Sequence, residues 1–179
     1  MEQPLDRTVA LLTRTPAALN ALLRDLPDEL ALRHEGESTW SVWDIVGHLI
    51  YCDRADWMPR ARRILEFGET KPFDPFDRNG HLHECEGKSL PQLLDDFAEV
   101  RAERLAELSG LNLSHHELRL RGLHPTLGAV TLSELLATWA AHDLNHIHQI
   151  ARVVAHQYRG SVGPFARFLG VMQCKAHGA

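Results

Sequence analysis

The sequence predicts an all-α protein, a four-helix bundle closed by a short C-terminal helix. Three observations predict it. Apolar residues recur at three- and four-residue steps through most of the chain, the rhythm of one buried helix face. Ser41 and Thr131 each stand before such a run, with an acidic residue three positions on (Asp44, Glu134), as a capping box requires. Gly68, Pro91 and Pro164 fall where helices should stop or start.

Taken in order, Val9, Leu12, Leu19, Leu22 and Leu23 outline a first helix over about residues 5–31, with Pro16 placed to kink or split it. A second helix runs from the Ser41 cap to Gly68, with a bend expected at Pro59; Ile45, His48, Leu49 and Cys52 share its inner face. Residues 69–87, with two prolines and two glycines, read as a loop, longer than a connection without a role usually is. A third helix starts at Ser89, and its inner face includes Leu93, Phe97, Val100, Arg101 and Leu108. Residues 110–130 alternate briefly, an extended stretch without a clear sheet. The fourth helix runs from Thr131 to about residue 158, and G-P-F-A-R-F-L-G-V-M supplies the terminal one.

The bulk properties narrow the class. The chain has 179 residues, 44% hydrophobic and 24% charged, enough for one domain over 1–179 with a core of its own. A net charge of −5 without a basic stripe gives no reason to expect nucleic acid. No stretch approaches the roughly 18 apolar residues that span a bilayer, and the N-terminus has no signal-peptide pattern. Cys52, Cys85 and Cys174 form no C-x-x-C pair, which argues against disulfides and thiolate zinc clusters. A cytoplasmic protein is expected.

Twelve histidines are the conspicuous feature. His142 and His146 stand one helical turn apart, in or beside the apolar stripe of Leu135, Trp139, Ile150 and Val153, and such a pair can chelate one ion. His48 faces the core of the second helix and would complete a His₃ set with positions left open, the catalytic type of site. A lone inward histidine is more often a hydrogen-bonded core residue, and i, i+4 pairs arise by chance in a histidine-rich chain; spacing leaves both readings open. His148 should face away from His146. His81, His83, His115 and His116 read as solvated loop residues.

The segments W-S-V-W-D-I-V-G-H-L (40–49) and W-A-A-H-D-L-N-H-I-H-Q-I (139–150), with the closing G-P-F-A-R-F-L (163–169), resemble the DinB-like family of metal-binding helical bundles. The resemblance extends over nearly the whole chain. It implies a four-helix bundle, often dimeric, with a metal held by one histidine of the second helix and two of the fourth, which here are His48, His142 and His146. It also implies thiol-dependent transferase or isomerase chemistry, because a divalent ion lowers the pKa of a bound thiol or water. Zinc or nickel is the expected ion, although imidazole suits copper and iron as well. The expected partners are a second copy of the chain and a low-molecular-weight thiol or other small molecule.

Among the neighbours of these histidines, Asp44 is the preferred outer acceptor, with helix capping as its alternative; Asp143 and Asn145 lie at the wrong helical angle. Gln149 could reach either the open side of the metal or the bundle wall. Cys52 is a small buried hydrophobe before it is a fourth ligand. Trp40 and Trp43 are expected to anchor the helix start, and Trp139 to serve as core or pocket wall. Three readings follow: a metal-dependent hydrolase or thiol transferase, a non-catalytic stress-related metal-binding dimer, and a bundle with merely structural histidines.

Overall fold

Proline decides how the N-terminal segment is divided. In the computed structural model, which describes residues 4–174, the expected first helix is three pieces: α1 (Leu5–Leu12), α2 (Thr15–Leu23) and a single turn, α3 (Asp28–Ala31). Pro16 lies in the first turn of α2 and Pro27 directly precedes α3, positions where a missing N–H leaves no intrahelical bond unmade. Residue 16 therefore cannot donate to the Leu12 carbonyl. Arg101 does so instead, its Nη1 at 3.1 Å.

The second helix begins as read. Asp44 N–H donates to Ser41 Oγ at 3.2 Å, and Ser41 N–H donates to the Asp44 carboxylate at 2.9 Å, opening α4 (Val42–Ala55). Its continuation to Gly68 is broken at Asp56, after which α5 (Trp57–Phe67) resumes. The break precedes Pro59 rather than falling on it, because the proline lacks a donor for the Ala55 carbonyl and its ring crowds that group. Gly68, at φ +55°, ends α5 as expected.

The connection 69–87 is more than a loop. It carries a 3₁₀ turn at Gly68–Thr70 and a short helix, α6 (His81–Cys85), that lies against α4. Contact is possible only without side chains at two points: a Cβ on Gly47 would stand 2.2 Å from Cys85 Sγ, and one on Gly80 would stand 2.1 Å from the Tyr51 ring. Cys85 Sγ also donates to the Trp43 carbonyl at 3.6 Å, and Arg54 pairs with Glu84.

The third helix, α7 (Leu90–Gly110), opens with a Ser89–Gln92 capping box and Pro91 in its first turn. The indistinct stretch that follows holds a short helix, α8 (His115–Leu118), and a true antiparallel hairpin. Its strands β1 (Arg121–His124) and β2 (Gly128–Thr131) pair from Arg121↔Thr131 to His124↔Gly128. Gly128, at φ +78°, makes the left-handed turn into β2. Thr131 then caps α9 (Leu132–Gln157) through Glu134. The expected terminal helix is mostly 3₁₀ (Gly163–Phe168), with a last turn of α10 (Gly170–Gln173).

The α1–α2 segment, α4–α5, α7 and α9 form the four-helix bundle. Its apolar interior has two clusters, one around Ile45, Leu49, Phe97 and Ile150, the other around Met58, Ile64, Leu136 and Trp139. Arg101 of α7 lies between them, 1% exposed, its guanidinium 4.8 Å from the Phe97 ring centre and 5.2 Å from that of Trp139. It donates to Asp53 of α4 (2.7 and 3.0 Å), to Asp143 of α9 (2.5 and 3.0 Å) and to Leu12 O. Every guanidinium N–H direction is thereby used. Trp139 Nε1 donates to Asp53 at 3.0 Å as well. Two buried carboxylates share one cation, and burial pushes Asp53 up to about 6 against the pull of Arg101.

Removing the cation alone would strand both carboxylates. Arg101→Leu is expected to cost about 3–5 kcal/mol in urea unfolding, and far less when made together with Asp53→Asn and Asp143→Asn. Equal costs in the two backgrounds would show that the ion pairs do not join the helices.

Candidate metal centre

The Ser41 capping box fixes the start of α4, and with it the turn that carries His48. The unbroken helix α9 carries His142 and His146 on one face, one turn apart. The two helices bring the imidazoles together edge to edge. His142 Nε2 stands 3.2 Å from His48 Nε2 and 3.0 Å from His146 Nε2. A divalent ion bound to imidazole sits about 2.0–2.1 Å from each nitrogen, so nitrogens this close can share one. Among the described residues, these three side chains are the group of histidines, cysteines and acids able to close on a metal ion. The residues fit the ion that their types suggest.

All three histidines are largely buried, and burial is the main reason that they resist protonation. It lowers His48 to about 2, helped by the charges of His146, His142 and His81, and His142 to about 3, helped by His146 and Arg101. Burial lowers His146 too, opposed by Gln149 and Asp143. Imidazoles that stay neutral keep their lone pairs available for a cation.

Around the triad the structure departs from several expectations. Asp44 does not touch the histidines; both its functions belong to the cap with Ser41. Asp143 and Asn145 point away as helical direction requires, Asp143 into the Arg101 network and Asn145 to solvent. Gln149 Oε1 accepts from His146 Nδ1 at 2.7 Å. Cys52 lies 3.4 Å from His48 Nε2 but outside the group that can close on one ion, and burial with Asp56 and Asp53 nearby pushes its thiol up. His148, His83, His115 and His116 are exposed, as read.

Two residues, Trp40 and His81, stand elsewhere than expected, and two more, Phe76 and Trp57, were missed. Trp43 anchors the helix start, its Nε1 donating to Lys88 O at 3.0 Å, but Trp40 lies over the triad, its ring centre 4.7 Å from His48 and 6.2 Å from His146. His81, expected in solvent, is 4% exposed, 4.8 Å from Trp40 and 6.4 Å from His48 between ring centres. The contacts of α6 with α4 put it there. Phe76 (5.9 Å from His48) and Trp57 (5.1 Å from His142) complete the walls. Trp139 is core rather than wall. The length of the 69–87 connection was the one available signal for His81 and Phe76.

The metal-free chain should lose stability on acidification. Unfolded histidines take up protons near pH 6.5, whereas native His48 and His142 stay neutral until about 2 and about 3. The unfolded state thus binds more protons below pH 6.5, and stability rises with pH across that window, by up to about 1.4 kcal/mol per unit for each histidine. Asp53 and Asp56, both raised to about 6 by burial, act in the opposite sense. The histidine contribution is therefore the difference in urea midpoints between the native sequence and His48→Gln/His142→Gln from pH 5 to 6.5. The double variant should show the weaker rise with pH, and parallel curves would refute it.

Comparisons with known proteins agree with the fold. No curated protein sequence matches the chain significantly. Among solved structures, YfiT from Bacillus subtilis, described as a probable metal-dependent hydrolase with an unusual four-helix bundle topology, superposes with a TM-score of 0.71. The two are 21% identical over 86% of this chain and 87% of that one. Residues 11–150, which span α4, α7 and all three triad histidines, match the pattern of the DinB superfamily. On that match the chain belongs to the DinB superfamily.

Proposed function

We propose that this chain is a divalent-metal-dependent enzyme, of the thiol-transferase or hydrolase type, that works through His48, His142 and His146. The observation that carries this reading is the convergence of three neutral Nε2 atoms, 3.0 and 3.2 Å apart, with no carboxylate or thiolate completing the set among the described residues. Three protein ligands leave coordination positions for a reactant, the arrangement of catalytic rather than structural sites. YfiT's description as a probable metal-dependent hydrolase supports the same reading. A bound zinc or nickel ion would supply Lewis acidity, lowering the pKa of a water or thiol that reaches it.

The chain's own residues do the rest. Trp40, Phe76 and Trp57 wall the triad with apolar rings, which strengthens electrostatic interactions inside. His81 Nδ1 donates to the Arg78 carbonyl at 3.1 Å, which fixes its ring 6.4 Å from that of His48. A low-molecular-weight thiol or another small molecule is the proposed reactant, in the cytoplasm. A second copy of the chain is the proposed partner; Phe165 and Phe168, each 71% exposed on the 3₁₀ helix at Gly163–Phe168, are apolar surface for it to cover.

Metal analysis of protein purified without a histidine tag is expected to find one divalent ion per chain, lost in His142→Ala and His146→Ala. Wild-type stoichiometry in both variants would place the metal elsewhere. Exhaustive chelation should also lower the melting temperature, since an ion at 100 times its Kd stabilises the native state by about 2.7 kcal/mol. Titration of low-molecular-weight thiols into the cobalt-substituted protein separates a thiol transferase from a metal centre that takes no thiol. A change in the visible spectrum is expected for the transferase, and an unchanged spectrum across the thiols would refute thiol chemistry at the metal.

A further inference from the structure

The three imidazoles are held very differently at their far nitrogens. His146 Nδ1 faces Gln149 Oε1 at 2.7 Å. Among the described residues His48 Nδ1 meets Cys52 Sγ at 3.9 Å, and that sulfur is nearer Nε2, at 3.4 Å. His142 Nδ1 is buried with no hydrogen-bond partner among the described residues. An imidazole binds a metal through a nitrogen that has no proton, so its other nitrogen must carry one. A ligand whose far N–H has a built acceptor is therefore held in the binding tautomer in advance.

We propose that Gln149 is the positioning residue of the centre: its amide oxygen accepts the His146 Nδ1–H and so presents the Nε2 lone pair of that ring to a divalent cation. The proposal rests on the metal-dependent function above and assigns the order within the triad. An amide oxygen can only accept, so the His146 proton is kept on Nδ1 and Nε2 is bare. That Nε2 faces His142 Nε2 at 3.0 Å, a contact which in the metal-free protein only a proton on His142 can bridge. His142 Nε2 also faces His48 Nε2 at 3.2 Å and has one proton at most for the two neighbours. His146 is thus the prepared ligand, and His142 must shift its proton to an Nδ1 that has no acceptor when it binds. Gln149 lies three residues beyond His146 on the same unbroken helix, so the hydrogen bond does not depend on how the neighbouring helices are packed.

The test uses the full chain in four forms: native, Gln149→Leu, Gln149→Glu and His148→Ala, the last an exposed neighbour on the same helix. Cobalt(II) affinity is measured by competition with a chromogenic chelator, and the tautomer of His146 in the metal-free protein by ¹⁵N NMR of the imidazole nitrogens. Gln149→Leu should weaken cobalt binding by about 10–100-fold and release His146 from the Nδ1–H tautomer. Gln149→Glu, which keeps an acceptor, should restore both, and His148→Ala should change neither. Native affinity in Gln149→Leu, beside a His146→Ala variant that has lost cobalt, would overturn the positioning role alone. So would an unchanged His146 tautomer in Gln149→Leu. A native chain that takes up no cobalt would overturn the metal reading and this role with it.

Discussion

One buried guanidinium organises the bundle. Arg101 of α7 reaches Asp53 on α4, Asp143 on α9 and the carbonyl of Leu12 that Pro16 leaves without a partner. The candidate ligands ride on the same two helices: Asp143 follows His142 in the chain, and Asp53 follows Cys52, which lies one turn after His48. The separation of His48 from His142 is therefore set from behind, by bidentate ion pairs whose geometry tolerates little sliding. Such buried pairs add little net stability compared with well-packed apolar residues. They exact alignment, and a site that brings His142 Nε2 within 3.2 Å of the Nε2 atoms of both His48 and His146 requires alignment.

Much of this was legible in the sequence because its signals are local. Ser41 with Asp44 and Thr131 with Glu134 mark two helix starts through bonds made within one turn. The spacing of His142 and His146 translates directly into a shared face. What was not legible depends on contacts between distant segments. Arg101 can be placed on the inner face of α7 from periodicity, but nothing in its neighbourhood names Asp53 or Asp143 as its partners. Asp44 looked equally suited to cap or to orient a histidine, and the choice rests on where Ser41 sits. The break at Asp56 came earlier than Pro59 suggested, because proline's steric demand falls on the carbonyl four residues back. The strands at Arg121–His124 and Gly128–Thr131 are too short for alternation to be convincing before their pairing is seen.

His81 shows the same limit most sharply. Its environment is made by two glycines that carry no functional group: Gly47 admits Cys85, and Gly80 admits the Tyr51 ring. Only the resulting close approach turns a loop histidine into a wall of the site. Trp40 was misjudged for a related reason, since its position one residue ahead of a cap suggests an anchor, yet its ring lies against His48, His81 and His146.

The site is thus assembled from parts of two kinds. His48, His142 and His146 belong to long helices locked by Arg101, whereas Phe76 and His81 arrive on the 69–87 connection, held by side-chain-free contacts and the Arg54–Glu84 pair. Because the connection enters and leaves at the ends of α5 and α7, its sequence can vary without disturbing the interior of either helix, provided that its fit against Gly47 and Tyr51 of α4 is kept. The triad and the wall across from it are in this sense separately heritable: a lineage can retain the three histidines unaltered while rewriting Phe76 and its neighbours, as long as Gly47 and Gly80 still admit Cys85 and the Tyr51 ring.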